Sequence, residues 1–205
     1  MNPLLPFTIK TLWSYKKELF YVSLAFLLTL LLPIIAVIVI SNTGIAIVAD
    51  QLVGINLKSH KIEIHDPATG KVITTVDVTT MWPVKGVVTL EFGEVDLPYQ
   101  PLHTGIDIAG KIGDPVTTFM KGKVIYTGEL SWGYGKHIII DHGNNITSLY
   151  GHLSKINVKK DDEVKPGDVI GLEGSTGWST GPHVHFEVRV FGIPVNPKTF
   201  VVGNP

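Results

Sequence analysis

The sequence has no cysteine and only one arginine, Arg189, among its 205 residues. The lack of cysteine excludes disulfides, thiolate zinc sites and cysteine nucleophiles. From residue 82 onward, eleven basic residues stand against thirteen acidic ones. Proteins that bind nucleic acid through its phosphates carry a basic patch or stripe. This near-neutral balance therefore predicts no nucleic-acid partner.

Charge is also missing from a long segment near the N-terminus, since Leu19 to Ala49 contains no charged residue. Residues 19–41 are long and apolar enough to cross a bilayer, which takes about 20 residues at ~1.5 Å each. Lysines precede this segment at positions 10, 16 and 17, and the positive-inside rule then places the N-terminus in the cytoplasm. We therefore expect a single-pass membrane helix with the C-terminal domain outside the membrane.

A cleaved signal peptide is the alternative interpretation of this segment. Gly44-Ile45-Ala46 offers small residues at the spacing that cleavage requires. However, the apolar region of a signal peptide is only about 7–15 residues long, and this one is longer. The length favours an uncleaved anchor.

The chain is predicted to have four parts: a cytoplasmic tail (1–18), a transmembrane helix (19–41), a juxtamembrane segment (42–80) and a globular domain (81–205). Within the juxtamembrane segment, KIEIHDPATGKVITTVDVT (61–79) has turn residues between two alternating β-branched runs. This pattern is typical of a small hairpin. An extended spacer is the alternative.

The globular domain is predicted to be all-β. Short strand-like runs are separated by Gly, Pro, Asn and Asp: VVTLEF, KVIYTG, HIIIDHG, ITSLYGHL, DVIGLEG and HVHFEVRV. This spacing is typical of a small antiparallel sheet or barrel, and no helical periodicity follows residue 81. His142-Gly143-Asn144-Asn145 predicts a hairpin turn, because Gly and Asn accept positive φ.

The stretch GPHVHFEV (181–188) places two imidazoles two residues apart in a predicted strand. Since strand side chains alternate, His183, His185 and Glu187 project to one face, and the apolar residues between them can fill a core. His183 and His185 lie about 6.6 Å apart along the strand. Either both bind a metal, or one binds it while the other contacts a bound water; alternation leaves this open.

The stretch HTGID (103–107) offers a second pair of candidate ligands, His103 and Asp107. In an extended strand their α-carbons would lie about 13 Å apart, too far for one ion with bonds of about 2 Å. The chain must therefore bend, and Gly105 can supply the bend at little steric cost.

A fifth candidate comes from SLYGHL (148–153), where alternation would place Tyr150 and His152 on the same face. For the other histidines we expect surface roles at His60 and His65, a structural role at His142, and at His137 an exposed position or at most one that supports a ligand. Imidazole and carboxylate are the ligands that zinc takes without thiolates, and three protein ligands leave a fourth position for water. A zinc-bound water can then attack a carbonyl, assisted by a spare histidine.

Five stretches of the domain follow one another in a recognisable order: MWPVKGVVTLEFG (81–93), HTGIDIAGKIGDPV (103–116), WGYGKHIIIDHGNN (132–145), SLYGHLS (148–154) and VKPGDVIGLEGSTGWSTGPHVHFEVRVFGIPVNP (164–197). Together they resemble the lysostaphin-like (LytM-type) zinc endopeptidases, which cut the peptides of bacterial peptidoglycan. The resemblance covers nearly all of residues 81–201. It implies a small antiparallel β fold with an open groove.

The resemblance also implies the roles of the five residues. His103, Asp107 and His185 would bind one zinc ion per domain. His152 and His183 would act on the water and the transition state. The expected function is that of a membrane-anchored endopeptidase that hydrolyses stem peptides or cross-bridges of peptidoglycan outside a bacterial cell membrane.

The alternative function is a non-catalytic module that binds peptidoglycan or activates an amidase, as some relatives in this family do. Either function could serve an envelope or secretion assembly, so protein partners of that kind are also expected. We further expect VDLPYQPL (95–102) to form one wall of the groove.

Overall fold

The computed structural model describes residues 5–56, 58–79, 81–95 and 102–205. It begins with one long helix, α1 (Leu5–Leu52). From Tyr15 onward this helix is long and apolar enough to cross a membrane by length and composition, a property shared by signal sequences and some core helices. The helix is longer than the predicted span of 19–41, because that span was set by bilayer thickness and not by a helix-stop signal.

The chain divides into two compact units, residues 1–41 and 42–205, and the second contains the strands. Those described are β1 (Val53–Asn56), β2 (Lys61–His65), β3 (Val72–Asp77), β4 (Val87–Leu90), β5 (Ile106–Ala109), β6 (Pro115–Thr117), β7 (Gly122–Glu129), β8 (Lys136–Asp141), β9 (Ile146–Leu153), β10 (Lys155–Ile156), β11 (Glu163–Val164), β12 (Val169–Leu172), β13 (His183–Val190) and β14 (Ile193–Val195).

Residues 42–80, predicted as a juxtamembrane segment, contain the predicted hairpin. β2 and β3 pair antiparallel, and β1 adds a third strand that was not predicted. Asp66 fixes the turn, because its Oδ1 accepts hydrogen bonds from the backbone N–H groups of Ala68 at 2.9 Å and Thr69 at 2.7 Å. This segment is therefore a small sheet and not an extended spacer.

The remaining strands form two antiparallel sheets, which confirms the all-β prediction. The larger sheet has eight strands in the order β11-β7-β8-β9-β13-β5-β4, with β14 also paired to β13. The smaller has the order β10-β12-β6. Among the described residues, the only helix after α1 is a 3-10 turn at Pro197–Thr199. The predicted turn at residues 142–145 joins β8 to β9, with positive φ at Gly143, Asn144 and Asn145.

β13 lies inside the larger sheet, between β9 and β5. Its apolar side chains face the core, where Phe186 lies 5.3 Å from both Phe119 and Tyr150, measured between ring centroids. All three rings are fully buried. The opposite row of β13 contains His183, His185 and Glu187, so the predicted alternation of this strand is confirmed.

Candidate metal centre

Strand pairing brings Asp107 and His185 together. β5 and β13 run antiparallel in a register that places Asp107 directly opposite His185. Side chains on directly opposed residues have Cβ atoms about 4.5–5.5 Å apart and can contact each other. The Asp107 Oδ1 accordingly lies 2.8 Å from the His185 Nδ1. Two candidate ligands that are 78 residues apart in sequence are therefore neighbours in the sheet.

His103 reaches the same point from the segment before β5. Its Nε2 lies 3.1 Å from the Asp107 Oδ1 and 3.0 Å from the His185 Nδ1. The chain bends at Gly105, as expected, but Gly105 does not have a positive φ. Glycine is needed there because a Cβ would lie only 2.3 Å from the backbone oxygen of Phe186. The bend thus depends on a close approach to β13.

The three side chains fit a zinc ion. One ligand atom from each of His103, Asp107 and His185 lies within 4.8 Å of the other two. Two ligands at about 2 Å from a tetrahedral ion are about 3.3 Å apart. The observed separations of 2.8–3.1 Å need to open by only a few tenths of an ångström. Two imidazoles and a carboxylate are also the donor types that zinc takes, and three such ligands leave one position open.

His152 joins this group because β9 is irregular. Between β8 and β9, Lys136 pairs with Leu153 and Ile138 pairs with Tyr150, so Gly151 and His152 together oppose one residue. Such a β-bulge re-aims side chains, and bulges are frequent next to active sites. His152 also has φ +60°, an unusual value for a residue with a side chain.

The bulge interrupts the alternation of side chains that was expected in SLYGHL. Tyr150 is fully buried in the core beside Phe186, whereas His152 lines the groove that contains Asp107 and His185. The prediction that Tyr150 and His152 share a face is therefore wrong. Simple alternation failed because the extra residue of the bulge shifts His152 to the other side of the sheet.

Each of the four histidine rings at this site has one nitrogen held by an acceptor. The Nδ1 atoms of His103, His152 and His183 contact the backbone oxygens of Glu91 (3.0 Å), Thr176 (2.8 Å) and Gly181 (2.8 Å). A carbonyl oxygen only accepts, so these Nδ1 atoms carry the protons and the Nε2 atoms keep their lone pairs. His185 is reversed, since its Nε2 contacts the Glu187 carboxylate at 3.0 Å. Its Nδ1, which faces Asp107 and His103, is then the nitrogen that could bind a metal.

The rings of His152 and His183 lie side by side, with centroids 4.6 Å apart. The Nε2 of His183 is 3.5 Å from the Asp107 Oδ2, so this ring borders the three candidate ligands without being one of the closest donors. The geometry therefore separates the two histidines that alternation could not distinguish. His185 contacts both other candidate ligands, and His183 stands beside them.

The electrostatics of the site suit a cation. Burial opposes ionisation of Asp107, but contacts with the rings of His103 and His185 outweigh it and hold the pKa of the carboxyl well below its usual range. Burial also disfavours a charged His185, yet hydrogen bonds to Asp107 and Glu187 raise its pKa to about 9. Negative charge that attracts a proton to this ring would equally attract a metal ion.

His152 has the opposite tendency. Burial, reinforced by the neighbouring rings of His183 and His185, lowers its pKa to about 4. The ring is therefore neutral near pH 7 and can accept a proton through its Nε2. This is the protonation state that a general base requires.

The groove in front of these residues has a volume of about 370 Å³. Its walls include Thr89 and Leu90 at the edge strand β4, and Tyr134 and Trp178 from two loops. The loops are joined where the Trp178 backbone N–H donates to the Gly133 carbonyl at 2.8 Å. Most of the predicted wall at 95–102 lies outside the described residues.

The remaining histidines stand apart from this groove. His142 is buried, with contacts to the Lys121 carbonyl oxygen at 2.8 Å and the Ser148 hydroxyl at 2.7 Å, as expected for a structural residue. His137 is buried against Tyr126, with ring centroids 5.1 Å apart. His60 is exposed, and His65 is half-buried on β2. None of the four belongs to the His103–Asp107–His185 group.

Several residues near the centre were not predicted from sequence. Thr104, Tyr134 and Arg189 all contact the buried carboxylate of Glu187, which in turn contacts His185. The signal that could have identified Arg189 is its position in the alternating row that begins at His183. Tyr134 gave no such signal, because it comes from a loop distant in sequence.

Part of this chain is similar to known proteins. The sequence profile of Peptidase family M23 matches residues 101–197. A DD-carboxypeptidase/endopeptidase, Mpg, of Neisseria meningitidis is 44% identical over 104 residues, which are 51% of this chain and 24% of that protein. The murein hydrolase activator NlpD of Escherichia coli is 38% identical over 123 residues, or 60% of this chain and 31% of NlpD. The chain thus spans about a quarter to a third of the length of these relatives.

A solved structure agrees with the sequence relatives. The catalytic domain of lysostaphin, an antimicrobial peptidase from Staphylococcus simulans, superposes with a TM-score of 0.53 at 34% identity. The superposition covers 56% of this chain and 91% of the lysostaphin domain. Together with the match over residues 101–197, this shows that the chain belongs to peptidase family M23, the lysostaphin-like (LytM-type) peptidases.

Proposed function

We propose that this protein is a zinc-dependent endopeptidase that hydrolyses peptide bonds in peptidoglycan. The observation that carries the proposal is the convergence of five side chains, four of which line one groove. His103, Asp107 and His185 would hold the metal, and His152 and His183 would stand beside it. Similarity to a DD-carboxypeptidase/endopeptidase and to the lysostaphin catalytic domain supports the reaction and the substrate class.

When bound, zinc lowers the pKa of a water to about 7 and polarises a carbonyl oxygen. The protein's own groups do the rest. His152 is held by the Thr176 carbonyl and is neutral, so its Nε2 can accept a proton from the attacking water. The resulting imidazolium would stabilise the developing oxyanion together with His183, or return the proton to the leaving amine.

The direct test applies the purified full chain in detergent to isolated peptidoglycan sacculi, with and without a chelator. We expect soluble peptide-containing fragments in the presence of stoichiometric zinc and none after chelation. The mass of the fragments would identify the bond. Intact sacculi in the presence of stoichiometric zinc would contradict the proposal.

A second candidate function is suggested by the similarity to the murein hydrolase activator NlpD. In that case the domain would bind peptidoglycan or a partner hydrolase without cutting. The variant His152→Ala separates the two candidates. An enzyme should lose at least about 100-fold in cleavage rate, the usual contribution of a general base, while keeping one zinc per chain. An activator should stimulate its partner hydrolase equally well with or without this ring.

We also propose that α1 anchors the domain to the outer face of a bacterial cell membrane. Its length and composition support this, and the lysines at positions 10, 16 and 17 support a cytoplasmic N-terminus. Two separate experiments test this. Isolated membranes are extracted with alkaline carbonate, and intact cells without their wall are treated with protease. We expect the chain to stay with the membrane and residues 81–205 to be degraded. Release by carbonate would contradict the anchor.

A further inference from the structure

Glu187 lies behind His185, on the side of the ring that faces away from the other candidate ligands. It follows His185 by two residues on β13 and is fully buried. Its Oε1 lies 3.0 Å from the His185 Nε2. An ionised carboxylate only accepts hydrogen bonds, so Nε2 carries a proton, and Nδ1, which faces Asp107, is the nitrogen that can exchange its proton for a metal ion. The contact therefore selects the ring form that can bind a metal through Nδ1.

The Glu187 carboxylate is itself held by three other side chains. Its Oε1 accepts hydrogen bonds from the hydroxyls of Thr104 at 2.5 Å and Tyr134 at 2.7 Å. Its Oε2 accepts from the Arg189 Nε at 2.6 Å, and the Arg189 Nη2 lies equally close. Arg189 also donates to the Tyr134 hydroxyl at 3.2 Å. A buried carboxylate with this many donors is fixed in both position and charge.

Three separate segments converge on this carboxylate. Thr104 comes from the bend before β5, Tyr134 from the loop between β7 and β8, and Arg189 from β13 itself. The neighbouring Gly105 makes the approach possible, because a Cβ there would lie 2.9 Å from the Glu187 Cγ. The two residues between His103 and the strand thus serve the far side of His185, where sequence spacing alone gave them no role.

His185 differs in this respect from the other three histidine rings of the site. His103, His152 and His183 are held by backbone carbonyls, which are neutral acceptors. Among these four rings, only His185 has an ionised group on the nitrogen that faces away from Asp107. Carboxylate partners of metal-binding histidines orient the ring and increase its basicity, and their loss typically weakens metal binding by about 10–100-fold.

We propose that Glu187, clamped by Thr104, Tyr134 and Arg189, is a positioning residue that fixes the orientation and ring form of His185 and so strengthens zinc binding. The inference rests on the proposed zinc site. Glu187 does not touch the substrate in this scheme, because His185 stands between it and the groove. A purely structural role for Glu187 would instead change stability and leave zinc affinity as it is.

The test is the zinc affinity of the full-length variant Glu187→Gln, measured by competition with a chromophoric chelator. Glutamine keeps the size of the side chain but removes the charge. We expect zinc binding to weaken by about 10–100-fold. The matched control is Glu173→Gln, which changes another fully buried glutamate whose carboxylate accepts from the Gly110 backbone N–H and contacts none of the three ligands. Its zinc affinity should equal that of the wild type.

Thermal unfolding of the metal-free proteins, followed by circular dichroism, separates affinity from folding. Wild-type zinc affinity in a folded Glu187→Gln variant would overturn the inference. If that variant does not fold, Tyr134→Phe decides, because it removes only one hydroxyl from the clamp. We expect zinc binding weaker by several-fold for Tyr134→Phe, and unchanged affinity would count against the clamp. A wild-type protein that binds no zinc would overturn the zinc site itself, and with it this inference.

Discussion

The two faces of β13 differ in what their side chains require. On one face, Val184, Phe186, Val188 and Val190 are fully buried among other apolar groups. On the other, His183, His185, Glu187 and Arg189 each contact specific polar partners at defined distances. The apolar face needs volume and shape, whereas the polar face needs particular atoms in particular places. One strand of eight residues thus supports both the core and the candidate metal centre.

Removing the central residue of the polar face should have the largest effect. In His185→Ala we expect zinc content to fall from one per chain to a small fraction, since two ligands remain, and cleavage of sacculi to fall to background. The fold should persist, because the apolar face is untouched. Zinc analysis after dialysis and far-ultraviolet circular dichroism check the two parts. A stoichiometric zinc content would show that His185 is not a ligand.

Removing the central residue of the apolar face should have the reverse effect. Phe186→Ala leaves a cavity between Phe119 and Tyr150, and truncating a buried phenylalanine costs about 3–5 kcal/mol of unfolding free energy. The folded fraction should still bind one zinc. Denaturant unfolding of the metal-free chain provides the measurement. A loss of zinc binding that exceeds the loss of folded protein would show that the two faces are not separable.

A substitution at Gly105 should affect both faces together. The added Cβ of Gly105→Ala would lie 2.3 Å from the backbone oxygen of Phe186, so β5 and β13 must move apart. Such overpacking costs about 1–3 kcal/mol, and separation of Asp107 from His185 should weaken zinc binding. The control is Gly151→Ala on the other side of β13, where the Cβ would lie 3.4 Å from its nearest neighbour. Equal destabilisation by both variants would contradict this explanation.

We expect the smallest effect from a substitution of Glu173, a buried glutamate that does not belong to β13. Burial raises its pKa to about 7, above the ordinary 4.5, and its Oε2 has no hydrogen-bond partner among the described residues. Because the folded-state pKa is raised, the stability that this group contributes is present below about pH 4.5 and is lost as the pH rises through 7.

The variant Glu173→Gln should not show this loss. Between pH 5 and pH 8, the melting temperature of the wild type should fall relative to that of the variant. Each kcal/mol corresponds to about 2–4 °C for a chain of this size. Thermal scans of both proteins over this pH range test the expectation. A constant difference between them would mean that Glu173 does not titrate there.

Much of the centre could be predicted because it depends on strand alternation. His183, His185 and Glu187 lie on one face of β13 as the sequence indicated, and the bend in HTGID followed from the distance that one ion can bridge. Alternation failed at His152, because a bulge adds a residue to β9 opposite β8. A bulge depends on how two strands pair, and single-strand patterns do not contain that information.

The clamp around Glu187 could not be predicted for a related reason. Thr104, Tyr134 and Arg189 come from segments up to 85 positions apart, and only the folded sheet brings them to one carboxylate. The end of α1 was also missed. The length of an apolar run indicates whether a helix can cross a membrane, but it does not indicate where the helix ends. The residues missed around Glu187 therefore depend on long-range contacts, whereas the end of α1 lacked a local stop signal.

The left-handed backbone conformation of His152 affects how domains of this kind can evolve. A non-glycine residue in this left-handed conformation costs of order 1–3 kcal/mol, and glycine would relieve the cost. Replacing His152 by glycine should therefore make the protein more stable while removing the proposed base. If the proposed activity were no longer under selection, a substitution that removes this histidine would increase stability. Domains of this kind would then readily evolve into stable proteins without catalytic activity.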